Sequence, residues 1–165
     1  MGLGRIAAAV LLALAVSGCA SSKFKSYDGP EVTSLLLHKS QRELMLLHGN
    51  QVLKVYKVGL GFQPNGAKIY EGDGRTPEGL YYIDRRNPNS QYHLSLGVSY
   101  PNPQDVEVAR ALGRSPGGDI FIHGEAGQKA GRGQDWTAGC IAVPDKDIED
   151  IYAMVRDGTP IYLMP

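Results

Sequence analysis

Asp119-Ile120-Phe121-Ile122-His123-Gly124, a glycine-rich loop over 125–135, and then Trp136-Thr137-Ala138-Gly139-Cys140-Ile141-Ala142-Val143 form the stretch on which the reading of this chain turns. The first run is apolar and β-branched and stops at a His-Gly pair, so it predicts a strand feeding a sharp turn. The second places Cys140 behind two small residues, Ala138 and Gly139, and a few residues ahead of a helix start. Small residues let the backbone bend so that a sulfur is presented. They also let a carbonyl approach the N–H groups of Gly139 and Cys140, the arrangement of an oxyanion hole. A thiolate is favoured in donor-rich turns and near positive helix ends. His123, 17 positions upstream, supplies a base. Residue types alone leave two readings open: a Cys–His nucleophile pair, or a buried small cysteine beside a strand-capping histidine.

Working outward, the best helical pattern follows directly. Over 144–156, Ile148, Ile151, Tyr152 and Val155 recur at helical spacing, Pro144 stands near the start, acidic residues fill the first turns, and Arg156 with Asp157-Gly158 closes it. A second, modest helix is expected over 103–112, with Val106, Ala109, Arg110 and Leu112 on one face and Gly113 after it. Everything else reads as short strands: 32–37, 43–48, 52–58 with both faces partly apolar as in a sandwich interior, a short 68–70, then 80–83, 92–96 and 161–163. Gly49-Asn50 is a hairpin signal, and Asp73-Gly74 a turn. The 80–83 and 92–96 strands are joined by 85–90. With 21 glycines and 10 prolines, this is one mostly-β domain with one or two short helices.

Composition narrows the function classes. Lysine and arginine number 17 against 17 aspartates and glutamates. Neither nucleic acid nor an anionic surface would be held by net charge. Two cysteines are too few for a disulfide scaffold or an all-cysteine zinc site. No metal and no organic cofactor are expected. His38, His48 and His93 read as strand residues without ligand spacing, and the Tyr81-Tyr82 pair as packing.

The N-terminus reads as an address. Arg5 precedes an uninterrupted apolar run from Ile6 to Val16, shorter than the roughly 20 residues a membrane span needs and right for a signal-peptide core. Val16-Ser17-Gly18-Cys19 resembles the lipobox of bacterial lipoproteins. That resemblance implies a signal peptide over 1–18, lipidation of Cys19, and a periplasmic protein held by a lipid anchor. Ala20 in place of an aspartate after the cysteine points to the outer membrane rather than the inner. Residues 19–32 read as a polar tether, and 33–165 as the catalytic domain.

Ile122-His123-Gly124, twelve residues, and Thr137-x-Gly139-Cys140-Ile141 together resemble the active-site signature of the L,D-transpeptidase catalytic domain (YkuD-like) family. Arg42-Glu43-Leu44 through Val58-Gly59-Leu60-Gly61 is similar to that family's opening hairpin. Arg75-Thr76-Pro77-Glu78-Gly79-Leu80-Tyr81 is similar to its Thr-Pro-x-Gly turn. The resemblance implies an L,D-transpeptidase-like β-sandwich. It makes Cys140 the nucleophile and His123 the general base, the latter oriented by the Gly124 backbone carbonyl, with Gly139 giving an oxyanion N–H.

Two positions depart from the family pattern: Ala138 stands where many members have His, and Ala142 where many have Arg or Asn. Arg132 is a candidate substitute cation. Trp136 and Thr137 are candidate substrate contacts, and Glu125 and Asp135 candidate partners for stem-peptide charges. The implied reaction is acyl transfer on peptidoglycan stem peptides: the thiolate attacks the third-residue carbonyl, D-Ala leaves, and the thioester passes to an amine. A second stem gives a 3→3 cross-link, and the lysine of a wall-anchored lipoprotein gives anchoring. Water instead gives an L,D-carboxypeptidase or endopeptidase. A catalytically idle peptidoglycan-binding lipoprotein is the remaining alternative.

Overall fold

The computed structural model describes residues 22–128 and 132–165. The expected signal peptide over 1–18, the expected lipobox and Cys19 lie outside the described residues.

Alternation sets the first strands. In β1 (Ser34–His38), Leu35 and Leu37 are fully buried, and in β2 (Glu43–His48) Leu44 and Leu46 are. Their partners on the opposite side stay half-buried, as period-two pleating requires. Gly49, at φ 55, turns the chain into β3 (Gln51–Lys57). Here expectation and structure part. Of β3's side chains only Tyr56 is buried, while Val52 and Val55 are each 49% exposed. The strand ends the sheet's hydrogen-bonded order and has no interior position, so its two apolar faces reflect edge placement.

β4 (Gly79–Asn87) runs well beyond the expected 80–83. Its first half pairs with β8 (Pro160–Met164), and its second half, through Arg85-Arg86-Asn87, with β5 (Ser95–Val98). A register shift between Ile83 and Arg85 marks the changeover. β6 (Phe121–His123) and β7 (Ile141–Ala142) complete one eight-stranded sheet, ordered β3-β2-β1-β8-β4-β5-β6-β7. The β1–β8 and β6–β7 pairs are parallel. Beyond β3, Gly59 exchanges both backbone hydrogen bonds with Ala142 at 2.8 Å each, so the two ends of the sheet meet and the sheet curls over its own core. The fold is mostly β with two short helices, and its two layers come from one sheet folded over.

The helices differ in how they are held. α2 (Asp145–Met154) buries Ile148, Ile151 and Met154 against the core. It is shorter than the expected 144–156: Val155 is already extended and Arg156 lies outside the last turn. α1 (Pro103–Ala111) buries Ala109 alone, leaving Val106, Val108 and Leu112 exposed, so no apolar face anchors it. Asn102 instead accepts from the Gln104 and Asp105 N–H groups while Asp105 accepts from Asn102, a reciprocal cap.

Two expected strand segments are loops. Residues 68–70 are not a strand, because the Ile69 and Tyr70 N–H groups are claimed by the Asp73 carboxylate at 2.7 and 3.2 Å. β5 starts at Ser95 rather than at 92, because His93 adopts φ 74, which breaks a strand. Residues 22–31 have no regular structure, yet Lys23 donates to the Pro88 and His93 carbonyls, Phe24 packs on Tyr152, and Lys25 pairs with Glu149 and Asp150 of α2.

Candidate active site

β6 and β7 bring the two reactive groups together. Their parallel register sets His123 against Ala142, which places Cys140 two residues ahead of that pair at the mouth of the β-turn. His123 is buried and Cys140 half-buried, and both line one cavity of about 310 Å³ with Asn87, Tyr92 and Ser95.

His123 Nδ1 lies 2.6 Å from the Gly124 carbonyl. A carbonyl can only accept, so Nδ1 carries the proton and Nε2 is left with its lone pair, the tautomer a general base needs. Burial pushes the imidazole pKa below its ordinary 6.5, outweighing the Gly124 carbonyl and the Glu125 charge, which push it up. Tyr92 stacks on the ring at 4.3 Å between centroids, and Trp136 meets its edge at 5.9 Å. The turn after His123 is fixed from α2: the Asp145 carboxylate accepts from the Glu125 and Ala126 N–H groups at 2.7 and 2.8 Å.

Cys140 rests as a thiol. Its Sγ–H donates to the Asp119 carbonyl at 3.4 Å. Burial pushes its pKa above the ordinary 9, with the Asp119 charge adding to that push and a backbone bond from Phe121 and the Lys68 charge opposing it. The preceding turn is clasped by Thr137, whose hydroxyl donates to the Cys140 carbonyl at 2.7 Å and accepts from the Gly139 N–H at 3.1 Å. Gly139 is at φ 140, and a Cβ there would stand 2.7 Å from the Arg75 carbonyl. The Thr-Pro-x-Gly segment therefore packs directly behind the nucleophile's turn. Thr76 reinforces it by accepting from the Gly61 N–H at 3.1 Å.

The other sequence candidates sort by position. Thr137 is buried with its hydroxyl fully engaged, so it shapes the turn and does not face the cavity. The Gly139 N–H, expected to be a free oxyanion donor, is held by Thr137. Trp136 is half-buried beside His123 and Tyr92, with the Arg132 guanidinium 5.1 Å from its ring centre. Asp135 does not point at substrate: it binds Arg42 and the Leu60 N–H, which ties the loop to the opening hairpin. Ala142 is buried in β7. Tyr92, Asp119 and Asp145 went unforeseen. Only the aromatic pair Tyr92-His93 before an apolar run hinted at a functional segment, and it resembles an ordinary strand start.

Comparison with known proteins completes the assignment. The family model for the L,D-transpeptidase catalytic domain (YkuD) matches residues 33–163. The chain is 30% identical over 107 residues to "Putative L,D-transpeptidase YafK" of Escherichia coli, covering 64% of this chain and 38% of that protein. A variant of the helical cell shape determining protein Pgp2 from Campylobacter jejuni superposes with TM-score 0.60 at 25% identity, over 83% of this chain and 48% of that one. An L,D-transpeptidase from Mycobacterium smegmatis, 14% identical, shares the fold with TM-score 0.55 over 81% of this chain and 59% of that one. The chain thus spans less than two thirds of the length of each of these relatives. By the family match across its folded part, the chain belongs to the L,D-transpeptidase catalytic domain family.

Proposed function

We propose that this protein is a cysteine-dependent L,D-transpeptidase acting on peptidoglycan stem peptides. The observation that carries the reading is the shared cavity of Cys140 and His123, with Nδ1 committed to the Gly124 carbonyl so that Nε2 is the free base. Cys140 Sγ leaves the Asp119 carbonyl, gives its proton to Nε2, and bonds to the third-residue carbonyl carbon. The oxyanion is met by the Cys140 N–H, and by the Gly139 N–H once it exchanges Thr137 Oγ1 for the new charge. As the C–N bond to D-Ala breaks, the imidazolium returns the proton to the leaving amine. An incoming amine then attacks the thioester, passes its proton to Nε2, and the thiol is regenerated.

The acceptor is a second stem amine or the lysine of a wall-anchored lipoprotein. Hydrolysis by the same groups is the second reading, favoured by the incomplete burial of Cys140 at the cavity it lines, which lets water reach a thioester. Residues 1–18 serve as a signal peptide and Cys19 as the lipidated residue, which places the enzyme in the periplasm on the outer membrane. Loss of palmitate labelling in Cys19→Ala checks that part.

Incubation with tetrapeptide-stem muropeptides, read by mass spectrometry, tests the chemistry. Cross-linked dimers with D-Ala release are the expected result, and both vanish in Cys140→Ala. Tripeptides alone identify a carboxypeptidase. Unchanged substrate, with the muropeptides still bound, identifies an idle wall-binding protein.

A further inference from the structure

Residues 22–31 bridge two parts of the protein that flank the active site, α2 and the loop over 88–93. The loop carries Tyr92, which lines the cavity shared by Cys140 and His123 and stacks on the imidazole at 4.3 Å between centroids. The Tyr92 carbonyl also lies close against Gly124, where a Cβ would stand 2.7 Å from it. Bonds inside the loop are short-range. The Asn89 N–H donates to the Asn87 side chain at 2.9 Å, and the Tyr92 N–H to the Ser90 hydroxyl at 3.1 Å. Such bonds shape a turn without fixing it to the body of the protein.

Bonds that reach beyond the loop stand at its two ends. The Lys23 ammonium donates to the Pro88 carbonyl at 2.7 Å and to the His93 carbonyl at 3.1 Å, so one cation spans the loop from its first residue to its last. A charged donor makes these bonds stronger than neutral ones. At the same end, His93 Nε2 lies 2.9 Å from Glu149 of α2, and Glu149 also pairs with Lys25 at 3.2 Å. Lys25 reaches on to Asp150 at 2.7 Å, and Phe24, between the two lysines, meets Tyr152 at 6.4 Å between centroids. The segment is therefore a strap, fastened to α2 on one side and to the loop on the other. His93 is gripped by its carbonyl and by its ring. Its φ of 74 is one that a bulky residue keeps only where its surroundings impose it. Tyr92 is its neighbour in the chain, so the placing of the Tyr92 ring depends on that grip.

We infer that Lys23 is a positioning residue of the active site, acting with Lys25, Glu149 and His93: the strap holds the 88–93 loop so that Tyr92 stays stacked on His123. The Gly124 carbonyl fixes one corner of the imidazole and the Tyr92 ring fixes its plane, and together they aim Nε2. The catalytic consequence rests on the transpeptidase reading above, to which it adds control of the base from outside the cavity.

Two readouts test it. Trp136 is the only tryptophan and lies 5.9 Å from Tyr92 between ring centroids, so its fluorescence reports on the loop whether or not the protein turns over. Lys23→Ala is expected to shift that emission to longer wavelength, as water reaches the indole. It should also lower kcat for D-Ala release from tetrapeptide stems about fivefold or more, as the base loses its aim. Lys23→Arg, which keeps a cationic donor for the two carbonyls, restores both. Lys57→Ala removes an exposed pair with Glu43 in the opening hairpin and leaves both unchanged. Either readout unmoved in Lys23→Ala overturns the assignment, as does an equal loss in Lys23→Arg or an equal change in Lys57→Ala. No D-Ala release from the wild-type protein overturns the transpeptidase reading instead, and the Trp136 emission then still decides whether the strap holds the loop.

Discussion

Cys140 and His123 are both held neutral in the folded protein. The thiol donates to the Asp119 carbonyl, burial raises its pKa above 9, and burial lowers that of His123 below 6.5. On the proposed mechanism the thiolate therefore forms during attack, not beforehand. Alkylation of Cys140 by iodoacetamide, followed against pH by intact mass, is expected to reach half its maximal rate above pH 9; a midpoint below neutrality would instead reveal a standing ion pair. The acid limb of kcat/KM is expected below pH 6.5. Because the folded pKa of His123 is depressed, the unfolded chain takes up that proton first. The histidine's contribution to stability is full above pH 6.5 and is lost as the pH falls through that value toward the folded pKa. Thr137 acts through the turn it clasps. Thr137→Val strips both of its hydrogen bonds and should lower kcat about tenfold, whereas Thr137→Ser keeps the hydroxyl and should restore it.

At the scale of elements, stability and site geometry separate. α1 buries one small residue, so its capping residue carries it: Asn102→Ala should cost about 1 kcal/mol in urea denaturation with activity unchanged. The first turn of α2 carries a different burden. Asp145→Ala releases the Glu125 and Ala126 N–H groups, loosening the carbonyl that orients His123. It should cut kcat several-fold while the melting temperature moves little. The elements legible in the sequence are those whose pattern is local. β2 and the buried face of α2 follow from alternation and helical spacing alone. β7 has two residues, too few for any period, and exists because His123 and Gly59 lie on either side of it. β4 reads as ending at Ile83 because the charged residues after it look like a loop; its extension depends on β5 being there to pair with it.

For the whole molecule, the same distinction separates the nucleophile and base from what surrounds them. His123-Gly124 and Gly139-Cys140 are written contiguously and can be read. Tyr92, Asp119 and Lys68 reach the site from three loops that meet only when the sheet has curled, and no spacing along the chain reports that. The buried charge of Lys39 ties loops to the sheet. Lys39 is 2% exposed and donates to the Gly66 and Thr76 carbonyls and to Glu78 at 2.6, 3.0 and 2.7 Å. Lys39→Met leaves all three acceptors without their donor and should cost about 3 kcal/mol or more in urea denaturation. The segment 22–31 should matter far less. Its pairs are partly exposed, so Lys25→Ala should shift stability by under about 1 kcal/mol, and raised salt should shrink even that.

The position of β8 has a consequence for how this protein folds. The strand formed from residues 160–164 lies in the middle of the sheet, between β1 and β4, whose partners in the chain are separated from it by up to 126 positions. During synthesis the opening hairpin is made far ahead of the strand that joins the two halves of the sheet, and the Gly-Cys turn shortly before it. Until it inserts, the cavity around Cys140 has no fixed walls. A chain still being synthesised therefore has no completed sheet around Cys140 until residues 160–164 are in place.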